Sequence, residues 1–237
     1  MNSAARKDDR FFARTALVMA AMVLLAFPLT YYQPLATGSR QFALLHHLHG
    51  AAYFAWIGLY VWQTRMVALG RTARHREIGL FGLALSGAML VLGPWMAIHA
   101  AQGRMAQNYA LPFEFTLYNV VDVSLFGAFM AAAMASITRH IEWHRRFTFA
   151  AALCLVGPAI SRWFLLMPDV FPWAYFGPNI AADMFLMLLA LHDRKRIGRV
   201  HPATVIAAAI MVPVHLATPW VSRSAAWNAF APGLLGF

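Results

Sequence analysis

Seven long apolar stretches, each separated from the next by a short polar or basic one, limit what this chain can fold into. They run from about Thr15 to Tyr32, Ala43 to Gln63, Glu77 to His99, Thr116 to Ile137, Phe147 to Met167, Ala174 to Leu191 and Ala203 to Val221. Crossing the hydrocarbon core takes about 20 mostly apolar residues in helical form. The core holds no water, so every backbone N–H and C=O must bond within the segment. The expected fold is therefore all-α: a polytopic bundle of seven transmembrane helices forming a single domain over residues 1–237, with residues 1–14 as a basic cytoplasmic segment. Composition agrees. Only 12% of the residues are charged, about half the roughly 25% of a soluble domain, too few to cover a globule in water. The one cysteine, Cys154, excludes an internal disulfide framework, a CxxC redox motif and a cysteine-ligated zinc ribbon.

The basic residues fix an orientation. Arg6, Lys7, Arg10 and Arg14 precede the first segment; Arg65, Arg71, Arg74 and Arg76 follow the second; Arg139, Arg145 and Arg146 follow the fourth; Arg194, Lys195, Arg196 and Arg199 follow the sixth. The opposite ends carry little beyond Arg40, Arg104 and Arg223. By the positive-inside rule the N-terminus is cytoplasmic and the C-terminus outside, in a bacterial inner membrane. The formal charge of +10 thus reads as membrane orientation, and the partner is the lipid bilayer, not nucleic acid. The first segment starts like a signal peptide, but Pro28 and the Tyr31-Tyr32 pair follow it instead of a small-residue cleavage site. Trp62, Trp95, Trp143, Trp163, Trp173 and Trp220 fall near segment ends and read as interfacial belts. Arg74-His75-Arg76 and Trp143-His144-Arg145-Arg146 each open a helix rich in small residues, which suggests a repeat of two helix hairpins. Arginine at a helix start binds anions, so His75, Arg76, His144 and Arg145 are candidates for an anionic lipid headgroup.

Ionisable residues inside a spanning segment mark function by default. The orientation puts His46, His47, His49, His99, Asn119, Asp122, Arg162, Asn179, Asp183 and His215 in the outer half of the bilayer. On the second segment His46, His49, Tyr53, Trp56, Tyr60 and Gln63 recur at three- and four-residue steps and share a face. Asn119 and Asp122 share another, as do Asn179 and Asp183. Arg162 cannot lose its proton and needs a counter-ion, and Asp122 and Asp183 are the carboxylates at its depth. Three readings of that triad stand open: an ion-paired packing knot, an anion site and a proton relay. His46, His49, His99 and His215, with Arg162, form a candidate cofactor site, because neutral imidazole is a good metal or haem ligand.

Several classes drop out. The only lysines, Lys7 and Lys195, lie outside the apolar stretches, leaving retinal no attachment point. No P-loop motif and no TVGYG filter is present. His47-x-His49-Gly50 through Trp62-Gln63, then Arg74-His75-Arg76-x-x-Gly79, Asp193 with Gly198-Arg199-Val200-His201-Pro202, and the tail Ser224-x-x-Trp227-x-x-Phe230-Ala231 resemble a family of small bacterial membrane proteins with paired His-Arg helix starts. That resemblance implies no activity. More distantly, histidines near helix ends are similar to those of b-type di-haem helical-bundle cytochromes, although Asn119 and Asp122 occupy the fourth helix where such a protein has a histidine.

Three functions fit these residues. The leading expectation is a redox membrane protein holding haem b or a quinone in the outer half, with His49 and His99 as ligands or quinone contacts. The second is a proton-coupled small-molecule carrier using Asp122, Asp183 and Arg162, its cavity lined by backbone freed at Pro28, Pro94, Pro158 and Pro213. The third is a non-enzymatic assembly subunit of a membrane complex, or a homo-oligomer.

Overall fold

The computed structural model describes residues 3–167, 169 and 175–236. Among these there are helices and turns and no strand. Helix α1 spans Ser3–Leu25, and a π-helical turn at Pro28–Tyr32 leads into the short α2, Gln33–Thr37. The long helices are α3 (Leu44–Ala68), α4 (Thr72–Ala106), α5 (Glu114–Ser136), α6 (Ile141–Leu166), α7 (Gly177–Ile197) and α8 (Pro202–Arg223); α9 (Ala225–Leu235) closes the chain. Trp173 lies outside the described residues, as do the side chains of Arg6 and Lys7.

Five stretches are helical, long and apolar enough to cross a membrane: Asp9–Thr37, Thr72–Ala106, Glu114–Ser136, Ile141–Leu166 and Pro202–Arg223. The other two expected segments are also helices, of 25 residues in α3 and 21 in α7. Their polar content separates them from the five. α3 carries three histidines in its first two turns, and α7 carries Asp183 and ends on Asp193-Arg194-Lys195-Arg196. α4 starts earlier than its apolar stretch, because Thr72–Arg76 continues the helix. α9 lies beyond all seven segments.

α6 is the hub. It packs against α1, α5, α7 and α8, and more lightly against α3. The run Phe149–Leu153 and Val156 are completely buried. Three consecutive alanines, Ala150–Ala152, explain the position, since small side chains let neighbouring helices approach on every side. The outer helices form a ring in the order α1, α3, α4, α5, α8, α7. Phe11 of α1 closes it by stacking on His192 of α7 at 3.9 Å. The outside of the ring is apolar: Leu80, Phe81, Val91 and Trp220 are each more than 60% exposed, the surface expected where lipid replaces water. Trp62, Trp95 and Trp220 lie on it. Trp143 and Trp163 are partly buried and pack against the core.

Candidate functional site

At one end of the ring α1, α3, α4, α5, α6 and α7 enclose a cavity of about 1130 Å3. α3 contributes His46, His49 and Tyr53; α4, His99; α5, Asn119 and Asp122; α6, Arg162; α7, Asn179. Most of the polar residues singled out in the sequence therefore meet around one space. The exposed residues Arg40, Gln107 and Tyr109 stand at its mouth. Glycine shapes its wall. A Cβ on Gly93 would lie 2.5 Å from the Tyr53 hydroxyl and 2.6 Å from Val123 Cγ2, so the missing side chain lets α3 and α5 close on α4 at this point. Tyr53 donates to the Met89 carbonyl from this position, at 3.3 Å. Gly93→Ala must displace Tyr53 or Val123, and overpacking of this kind costs about 1–3 kcal/mol. We expect a lower melting temperature in detergent, read by circular dichroism, with the helix content unchanged.

Arg162 has no carboxylate within 4 Å among the described residues. Its Nη1 donates to the Pro158 carbonyl at 2.6 Å, and its guanidinium lies 3.9 Å from the centre of the Phe27 ring, a cation–π contact. The expected pairing with Asp122 or Asp183 is thus corrected. Asp183 turns to α8 and accepts from His215 Nδ1 at 2.8 Å, and neither residue lines the cavity. Depth along a helix was readable from sequence; which neighbour a residue faces was not. Asp122 stays on the cavity wall, 7% exposed.

The histidines divide. His47 is bonded to the Tyr31 hydroxyl at 2.6 Å and serves the π-helical turn. His49 stacks on Tyr53 at 4.1 Å. His46 and His99 meet edge to face at 5.2 Å. No macrocycle passes between rings in such contact, so this pair does not fit a bis-histidine haem. No three His, Cys, Asp or Glu side chains among the described residues are grouped to hold a metal ion. What the site does offer is hydrogen-bonding capacity. Nδ1 of His46 and Nδ1 of His49 are buried without a partner, a costly condition unless a ligand or water meets them.

The opposite end of the ring holds a different constellation. Arg146, 2% exposed, grips the fully buried Asp193 through Nη2 at 2.6 Å and Nε at 3.1 Å. The second Asp193 oxygen accepts from Thr204 at 2.6 Å and from the His201 backbone N–H at 3.1 Å. His201 caps α8, its Nδ1 accepting from the Ala203 N–H at 3.1 Å. Burial first, then the nearby Arg146 charge, lower the His201 pKa from its ordinary value, which keeps that acceptor available. Arg145 pairs with Asp9 at 2.7 Å and Glu142 at 3.0 Å, and His144 Nδ1 bonds the Ala133 carbonyl at 3.1 Å. The His144-Arg145 helix start is therefore occupied by internal partners and is not an open anion cradle. His75 lies 6.5 Å from His144, ring to ring, and the Gln63 amide reaches it. Arg76 is exposed. Arg146 and Asp193 escaped the sequence reading as a pair because each sits in a basic cluster that orientation alone explains. The signal was a carboxylate among arginines ahead of Gly198 and the His201-Pro202 helix start.

Comparison with protein families, curated proteins and solved structures returned no match.

Proposed function

We propose that the chain crosses a bacterial inner membrane seven times, with its N-terminus in the cytoplasm, and binds a small organic anion in the outer-half cavity as a proton-coupled carrier. α3 and α7 are long enough to add to the five apolar spans. Basic clusters at the α3–α4, α5–α6 and α7–α8 turns, with few at the other ends, support the orientation. Packed pairs α3–α4 and α5–α6 support two related hairpins. Cys154 is 2% exposed and silent, so single added cysteines read topology cleanly. Gln107→Cys should react with a membrane-impermeant maleimide in intact cells, and Arg74→Cys only after permeabilisation. The reverse pattern overturns the orientation.

One observation carries the binding proposal: Arg162 faces the cavity without a carboxylate among the described residues. A guanidinium cannot shed its proton, and a charge inside a membrane protein is retained where it pairs or serves a pathway. The group that completes it is a carboxylate or a similar oxyanion. Arg40 and Arg104 on the same wall, against Asp122 as the lone acid, favour an anion further. Titration with benzoate, a soluble aromatic carboxylate suited to the aromatic lining of Phe27, Tyr53 and Phe54, tests it: saturable binding by calorimetry supports the proposal, and none overturns it.

The unpartnered imidazole nitrogens beside a stacked Tyr53 favour a second reading, a quinone whose carbonyls accept from His49 and Arg162. Quinone recovered by solvent extraction of purified protein, with no benzoate binding, would replace the first reading by the second.

A further inference from the structure

Behind the cavity wall lies a buried dyad that ligand binding alone does not call for. His215 on α8 is 3% exposed. Its Nδ1 is 2.8 Å from Asp183 Oδ1. Its Nε2 is buried and has no partner. A carboxylate on Nδ1 holds the proton there and leaves the Nε2 lone pair free, and an unmet buried nitrogen is costly to keep. Asp122 is on the cavity wall, and its helix α5 packs directly against α8, which carries His215. Asp122 also makes no hydrogen bond or ion pair among the described residues. The other titratable groups around it are Tyr53 on α3 and Cys154 on α6. Arg162 on α6 lies on the same cavity wall. Two carboxylates, one neutral imidazole and one guanidinium leave one negative charge too many for a low-dielectric site, and an anion on Arg162 would add another. One proton on Asp122 balances the empty site, and a second, taken up with the anion, balances the filled one.

We propose that Asp183 and His215 form a proton-holding dyad for the cavity, exchanging one proton with Asp122 so that an anion seated on Arg162 is bound together with one proton. In the exchange the Asp122 O–H bond breaks and an N–H bond forms at His215 Nε2. The imidazolium is then neutralised by Asp183, and the emptied Asp122 carboxylate takes one proton from water at the cavity mouth, which is the proton that enters with the anion. This rests on the cavity being an anion site, and the inference goes beyond it in naming the proton store. Coupling is reciprocal: if binding takes up one proton, affinity rises as pH falls, approaching tenfold per pH unit.

The test uses the full chain in detergent and benzoate, which stays ionised from about pH 5.5 to pH 8. Wild-type affinity should rise close to tenfold for each unit of acidification over part of that range, with one proton taken up per benzoate. Asp122→Asn, His215→Phe and Asp183→Asn should each flatten the profile. Binding that needs Arg162 but shows no pH slope overturns the dyad and leaves the anion site standing. A readout without ligand covers the converse. Infrared difference spectra should contain a protonated-carboxyl band lost in Asp122→Asn, and its pH midpoint should move by tenfold or more in proton concentration in His215→Phe. If benzoate does not bind but the band behaves so, the dyad stands and the anion site falls. If the midpoint ignores both His215→Phe and the milder His215→Gln, the dyad is a packing contact and the inference fails.

Discussion

Arg162→Gln should abolish benzoate binding while leaving the protein as well folded as before. A hydrogen bond to a charged group is worth about 1.5–3 kcal/mol, and the lost attraction between full charges in a partly enclosed cavity adds to it. A loss of about 100-fold, or roughly 2.8 kcal/mol, is therefore the least to expect. Folding responds differently. Removing one member of a buried ion pair strands the other, but Arg162 strands no carboxylate among the described residues. Its contacts are the Pro158 carbonyl and the Phe27 ring. Folded yield by gel filtration and melting temperature should match wild type, or rise slightly as an uncompensated charge disappears. Arg162→Lys should bind with intermediate affinity, because it keeps the charge but loses the planar fork and the stacking on Phe27. Unchanged benzoate affinity in Arg162→Gln would remove the basis of the proposed function. A collapse in yield would mean that the guanidinium holds the bundle together.

The contrast between Arg162 and Arg146 shows what the sequence made legible. Helix positions followed from apolar run length, and the common depth of His46, His49, His99, Asn119, Asp122, Arg162 and Asn179 followed from run ends and helical phase. That was enough to bring these residues to one cavity. Pairing was not legible, because it depends on the rotation of each helix about its axis relative to its neighbours. A Leu- and Ala-rich helix offers several faces of similar hydrophobicity. Depth therefore leaves both Asp122 and Asp183 as counter-ions for Arg162, whereas α7 turns Asp183 to His215 on α8 and Asp122 makes no ion pair among the described residues. The start of α4 differs for a related reason. Thr72–Arg76 is polar yet helical, because a helix running past the bilayer into water keeps its backbone bonds while its side chains change character. α9 carries the Ser224-x-x-Trp227 pattern as an N-cap, the Ser224 hydroxyl accepting from the Trp227 N–H at 3.1 Å. The tail motif carries that signal, but apolar run length does not identify it as a helix start, because it lies beyond the last apolar stretch.

Asp193→Ala should be the most destabilising single change outside the hub helix. It removes the acceptor of two Arg146 nitrogens, of the Thr204 hydroxyl and of the His201 N–H. Arg146 would remain buried with only the Glu142 carboxylate and carbonyl, and Glu142 is 43% exposed, so water weakens that pair. Breaking a buried pair costs about 3–5 kcal/mol, and the unmet Thr204 hydroxyl adds to it. Such a loss should appear as a sharp fall in folded yield at 37 °C and a melting temperature many degrees lower. Arg146→Leu alone should cost a comparable amount, by leaving the Asp193 charge at 0% exposure. Combining Arg146→Leu with Asp193→Leu should recover much of the loss, since no buried charge is then left unpaired. Recovery should stay incomplete, because Thr204 and the His201 N–H still lack their acceptor, and with them the tie that sets α8 against α7. That tie also fixes the depth at which α8 presents His215 to Asp183. The recovered double variant should therefore regain yield before it regains the pH dependence of benzoate binding. If Asp193→Ala is tolerated with an unchanged melting temperature, the Arg146 guanidinium reaches water by another route, and the two ends of the bundle do not divide into a packing knot and a binding site.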